Sequence, residues 1–247
     1  MRLRIAKRGY IPKKDAAWIR VIAILLAFLF SSLFVVFMGH NPLHVFGSMF
    51  KGAFSSAFRW KDTLTIAIPL IITSIGIMIA FKMKFWNIGA EGQILMGAFC
   101  ASFFALNFSS LPKPILLLIM LVAGFVGGAL WALIPAFLKV RYNTNETIIT
   151  LMLNYIAVNW IMFLQYGPWK DPKSMGFPKI ANFEDSAIVP KIFGVQGGWI
   201  LALILVVGVY FFMNRSKGGF EVSVVGESTD TARYAGMNVK KIIVSAV

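Results

Sequence analysis

Long apolar runs alternate with short polar breaks along almost the whole chain. Residues 21–38, 63–81, 92–108, 115–138, 147–166 and 198–213 each approach the length a helix needs to cross a bilayer. Residues 242–247 open another run. The pattern predicts an all-α polytopic membrane protein with six complete transmembrane helices and the start of a seventh. Because the chain stops inside that last apolar segment, we expect it to be truncated at the C-terminus.

Spacing within the runs says which faces pack. After the first span, Asn41-Pro42 has the form of an N-cap followed by proline at the first helical position. Leu43, Phe46, Phe50, Phe54 and Ala57 then recur at helical spacing, which predicts a short amphipathic piece at the outer surface. Pro69 is expected to kink the second span. Gly76 with Ala80, then Gly97, Ala101 and Ala105, then Gly124 and Gly128, repeat every fourth residue and predict close helix contact. On the fifth span Thr147, Thr150, Asn154, Ile161 and Gln165 share a face. An asparagine there is explained either by an interhelical hydrogen bond worth about 0.6–2 kcal/mol or by a substrate contact.

The breaks carry the chemistry. FWNIGAEGQILM at 85–96 sets Asn87, Glu91 and Gln93 between two apolar runs, beside Trp86. Polar groups at membrane depth face a bundle interior or a wet path, so the stretch is a candidate site; a solvated loop with a helix cap is the plainer reading. NTNET at 143–147 is a second polar helix start, with Asn143 and Glu146 spaced as in a capping box. For Glu91 and Glu146, a place in the positive first turn of a helix is sufficient explanation. Residues 167–197, with Pro168, Pro172, Pro178 and Pro190, read as an extracytoplasmic loop without a strong regular element, and Trp169 and Trp199 near its ends suit an aromatic belt. Residues 215–241 form the longest cytoplasmic loop.

Composition agrees with these spans: 58% of residues are hydrophobic, 14% are charged, and the mean hydropathy is +0.76. The net charge of +14 is not a nucleic-acid signal, because the basic residues lie between apolar runs and form no continuous stripe. They set topology. Residues 1–20 carry Arg2, Arg4, Lys7, Arg8, Lys13, Lys14 and Arg20, and the loops assigned to the cytoplasm hold sixteen basic residues against eight outside. That bias predicts a cytoplasmic N-terminus. Cys100, His40 and His44 stand apart, so no disulfide, metal or catalytic constellation is expected. A polytopic membrane enzyme is the alternative class, but the ten acidic residues are scattered and only Glu184 and Asp185 are adjacent.

Three stretches together resemble a known family. FWNIGAEGQILMGAF at 85–99, NTNETIITLMLNYIA at 143–157 and VVGESTDTARYAGMNVKKII at 224–243 are similar, in order and spacing, to signatures of the nucleoside and simple-sugar permeases of ATP-binding-cassette (ABC) importers. These belong with the ribose and branched-chain amino acid permeases. The resemblance covers essentially the whole chain, and family members continue past residue 247. It implies a permease subunit in the bacterial cytoplasmic (inner) membrane, with no cofactor of its own. ABC ATPase subunits would bind the ATP, for no G-x-x-x-x-G-K-[ST] loop is present. A second permease subunit, identical or not, and an extracytoplasmic solute-binding lipoprotein complete the implied assembly. Trp86, Asn87, Glu91, Gln93 and Asn154 are then candidates for the substrate pathway. Glu227, Ser228, Asp230, Ala232, Arg233 and Gly236 fall on the stretch that in this family is a coupling helix docked on the ATPase. Its local signals agree, with Ser228 as N-cap, Asp230 in the first turn and Gly236 as the stop.

Overall fold

The computed structural model describes residues 12–172, 174 and 176–247. Its helices are α1 (Lys13–Phe37), α2 (Pro42–Phe54), α3 (Ala57–Lys82), α4 (Ala90–Asn107), α5 (Lys113–Tyr142), α6 (Glu146–Tyr166), α7 (Gly198–Arg215), α8 (Lys217–Glu227), α9 (Thr229–Tyr234) and α10 (Val239–Ala246). Among the described residues five helices are long and apolar enough to cross a membrane: Lys14–Phe37, Ala57–Lys82, Lys113–Tyr142, Glu146–Tyr166 and Gly198–Arg215. The chain is therefore an all-α polytopic membrane protein. α4, expected as the third of six spans, is not among the five. It is 18 residues long with Glu91, Gln93 and Asn107 near its ends. Arg2, Arg4, Lys7 and Arg8, which carry much of the expected N-terminal charge bias, lie outside the described residues, as does Lys173.

The chain divides into two compact units, Met1–Thr63 and Leu64–Val247. In the first, Asn41 caps α2 as expected, its side chain accepting from the Leu43 N–H at 2.9 Å. Phe28 of α1 meets Phe46 of α2 edge to face, with ring centres 5.5 Å apart. Ala57, expected on the α2 stripe, instead opens α3, because the helix breaks at Ser55 and Ser56.

The second unit is built around α4, which packs chiefly on α5 and also on α6. The small residues allow this close approach: a methyl group on Gly97 would stand 2.8 Å from the Gly124 carbonyl oxygen, and one on Gly128 would stand 3.2 Å from that of Gln93. Apolar clusters then close the two ends. At one end Ala80, Met83 and Phe85 join Val222, Val225, Ala232, Val239 and Ile242. At the other, Ala105, Leu116 and Ala187 form one cluster, and Ile68, Val195 and Ala202 form another.

Two expectations about loops change here. Residues 167–197 contain a small hairpin, β1 (Lys191–Ile192) paired antiparallel with β2 (Val195–Gln196). Its turn residues Phe193 and Gly194 both have positive φ, 55° and 80°, the conformation that matches the twist of two-residue hairpins. Within the 215–241 segment the short helix expected after Ser228 is α9, and it is preceded by a second helix, α8, that was not expected. α8 escapes sequence reading because Gly218, Gly219 and Gly226 depress its helical propensity. Tertiary contact overrides that preference: methyl groups on Gly219 and Gly226 would overlap the Phe212 and Lys82 carbonyl oxygens.

Candidate functional site

The break before α4 starts with an unusual helix end. α3 closes in a Schellman arrangement in which the Phe85 N–H donates to the Ala80 carbonyl at 3.0 Å and the Lys84 N–H to that of Phe81 at 2.9 Å. The left-handed position between them is normally glycine, yet here it is Lys84, with φ 59°. Phe85 then packs on Ala80 in the apolar cluster, the contact this motif ordinarily makes.

From Met83 to Gly89 the backbone is not helical, and burial alternates. Met83, Phe85, Asn87 and Gly89 are buried while Lys84, Trp86 and Ile88 are exposed. A non-helical stretch inside a membrane protein needs partners for its polar backbone groups. Asn87 supplies one, its Oδ1 accepting from the Gly89 N–H at 2.9 Å. The Phe85 carbonyl supplies another, accepting from the Asn87 N–H at 2.9 Å, and further partners come from α6. The Ile88 N–H donates to Thr150 Oγ1 at 3.3 Å, and the Ile88 carbonyl accepts from Asn154 Nδ2 at 2.9 Å.

Asn154 makes one more bond, and it fixes how α4 begins. The residue preceding α4 is Gly89, which has no side chain to cap the helix. Asn154 Oδ1 instead accepts from the Gly92 N–H at 2.8 Å, one of the first-turn donors that a helix cannot satisfy for itself. Both ends of the Asn154 amide are thus engaged with the 88–92 backbone. Glycine is required at both approaches: a methyl group on Gly89 would stand 2.9 Å from Thr150 Cβ, and one on Gly92 would stand 2.8 Å from Asn154 Oδ1.

α6 begins differently. Its cap is Asn145, whose Oδ1 accepts from the N–H groups of Thr147 at 3.0 Å and Ile148 at 3.3 Å. Asn143, expected to serve this role with Glu146, ends α5 in the left-handed conformation at φ 51°. Asparagine suits both positions, so the two could not be separated by residue type alone. Glu146 pairs with Lys139 at 2.8 Å and also accepts from the Trp86 N–H, tying the second polar start to the first.

The same end of the molecule holds the region that resembles a coupling helix. Ser228 is the single residue between α8 and α9, and its Oγ accepts from the Thr231 N–H at 3.2 Å, the expected cap. α9 ends in a second Schellman arrangement, with Gly236 left-handed at φ 74° and the Met237 N–H donating to Ala232 at 3.0 Å. Ala232 is the only buried residue of α9; Asp230, Arg233 and Tyr234 are exposed, Tyr234 to 95%. Arg233 and Asp230 lie 3.5 Å apart as a surface pair, which adds little stability. A cavity of about 350 Å³ lies beside the α8–α9 joint and the break before α4, lined by Lys84, Lys139, Glu146, Gly226, Glu227 and Ser228.

The structure thus brings Asn87 and Asn154 together, buried and hydrogen-bonded to backbone, with Gln93 half-buried one turn into α4. Trp86 and Glu91 are exposed, Trp86 leaning on Phe81 with ring centres 5.2 Å apart. Sequence reading missed the parts played by Gly92, Gly226 and Tyr234. For Tyr234, the signal was an aromatic residue in an otherwise polar stretch. Among the described residues no group of three or more His, Cys, Asp or Glu side chains is placed to hold a metal ion.

Residues 60–247 match the family described as the permease component of branched-chain amino acid transport systems. The chain belongs to that family. It is 33% identical to a glucose ABC transporter permease protein of Haloferax volcanii, over 96% of this chain and 65% of the relative. A nucleoside ABC transporter permease protein of Lactococcus lactis is 28% identical, over 91% of this chain and 64% of its own. A guanosine ABC transporter permease protein of Bacillus subtilis is 29% identical, over 92% and 66%. The chain therefore spans just under two thirds of the length of these relatives. No solved structure matches it.

Proposed function

We propose that this chain is part of the membrane-embedded permease subunit of an ABC importer for nucleosides or simple sugars, in a bacterial cytoplasmic membrane. Separate ATPase subunits bind and hydrolyse ATP, a second permease subunit completes the pathway, and an extracytoplasmic lipoprotein delivers the solute. Family membership and the names of the relatives support this reading. The N-terminus and the 215–241 segment face the cytoplasm, and 167–197 faces outward. α4, packed on α5 and α6, is the third of six complete spans in this topology, and α10 belongs to the start of a seventh.

The observation that carries the mechanism is the exposure of α9. It meets the rest of the chain through Ala232 and presents Asp230, Arg233 and Tyr234 outward, as a docking element for an ATPase would. Glu227 and Ser228 form its hinge to α8, and Gly236 ends it. Trp86, Glu91 and Gln93 are the members of the pathway set whose side chains can meet a solute, with Asn87 and Asn154 supporting them from behind.

Arg233→Glu and Gly236→Pro, each introduced into the assembled transporter, are expected to leave ATP hydrolysis measurable while uptake of labelled nucleoside or hexose falls. Parental uptake by both variants would remove the coupling assignment.

A further inference from the structure

The seven-residue break before α4, with the first turn that follows it, takes three of its hydrogen-bond partners from side chains more than 60 positions away in sequence. Asn154 Nδ2 holds the Ile88 carbonyl, Asn154 Oδ1 holds the Gly92 N–H, and Thr150 Oγ1 holds the Ile88 N–H, the two side chains one turn apart on α6. Asn154 is 7% exposed and Thr150 is fully buried, so neither is replaced readily by water. The N-terminal side of the same segment is seated elsewhere. Met83 and Phe85 are buried with Val222, Val225 and Ala232 of α8 and α9, and Gly226 lies against the Lys82 carbonyl with no room for a side chain. One short stretch of extended backbone therefore joins two anchorages, α6 through hydrogen bonds and α8–α9 through apolar contact.

We propose that Asn154 is a positioning residue: it caps α4 from α6 and makes the 85–92 segment a rigid strut, so that movement of α9 reaches the start of α4. Asn154 keeps one N–H and one lone pair beyond these bonds, but at 7% exposure it offers a solute little surface. Its effect on transport runs through the backbone it holds. The inference rests on the transport reading above for its functional consequence and on geometry alone for the cap.

The test uses the assembled transporter in proteoliposomes, with hydrogen exchange followed in the 85–96 peptide and uptake measured against solute concentration. Asn154→Leu is expected to speed exchange in that peptide by about tenfold and to lower maximal uptake with KM changed less than about twofold. Asn154→Asp keeps an oxygen on the Gly92 N–H and should restore much of the protection and the uptake. Thr150→Val keeps the shape and removes the oxygen under Ile88, so the same changes should appear at about threefold size. Unchanged exchange in Asn154→Leu and Thr150→Val would overturn the cap. Intact protection with a raised KM would overturn positioning and make Asn154 a solute contact. If the parental assembly carries neither nucleoside nor hexose, the transport reading falls while the exchange result still decides the cap.

Discussion

α6 begins with Asn145, whose own side chain takes the N–H groups of Thr147 and Ile148, whereas α4 begins with Gly89 and takes its cap from Asn154 on α6. In sequence the two starts are of one kind: a basic residue, a polar break with an asparagine, a glutamate, then an apolar run. The physical difference is autonomy. The start of α6 needs only its own neighbours and forms wherever that segment is helical. The start of α4 takes the partner of its Gly92 N–H from α6, so that bond depends on how the two helices are packed.

The comparison breaks most clearly at the third helical residue. Gly92→Ala would set a methyl 2.8 Å from Asn154 Oδ1 and 3.0 Å from Trp131 Nε1, expelling the trans cap. We expect a loss of about 2–3 kcal/mol in denaturant-unfolding stability in detergent, because a buried backbone N–H is left without a partner. The corresponding change in α6, Ile148→Ala at an exposed site, should cost less than about 1 kcal/mol. Asn145→Ala comes next, at about 1 kcal/mol by the same assay, the ordinary worth of a local cap. The smallest effect contrasts the two left-handed helix ends that precede these starts. Lys84→Gly should stabilise by up to about 1 kcal/mol, since glycine carries no penalty at φ 59°, while Asn143→Gly at φ 51° should be nearly neutral. A gain at Asn143 equal to that at Lys84 would mean the two turns are equally strained.

Much of this architecture was legible. Five of the six expected spans are helices of spanning length and composition, and the α6 face of Thr147, Thr150, Asn154, Ile161 and Gln165 is buried or half-buried throughout, with Ala157 buried beside it. Asn41, Ser228 and Gly236 cap or stop their helices as their residue types require. The candidate site was legible only as a location. FWNIGAEGQ stood out as polar residues among apolar ones, but nothing local distinguishes the Asn87 amide, turned onto its own backbone, from the exposed Glu91 carboxylate. α8 was read as loop for the same kind of reason: its glycines weaken a helix locally and are repaid only by contact with Lys82 and Phe212.

By itself the sequence determined much of what depends on neighbours within a few residues: five of the apolar runs long enough to span, the shared face of α6, and the caps and stop at Asn41, Ser228 and Gly236. Tertiary structure alone decided that Asn154 caps α4 across 62 positions, that Gly226 seats α8 on the end of α3, and that Glu146 reaches both Lys139 and the Trp86 backbone. The division is physical. Helical spacing and capping act through contacts a few residues long, whose partners any reader of the chain can count. A trans cap or a missing Cβ acts through a neighbour that only the packed fold brings into place.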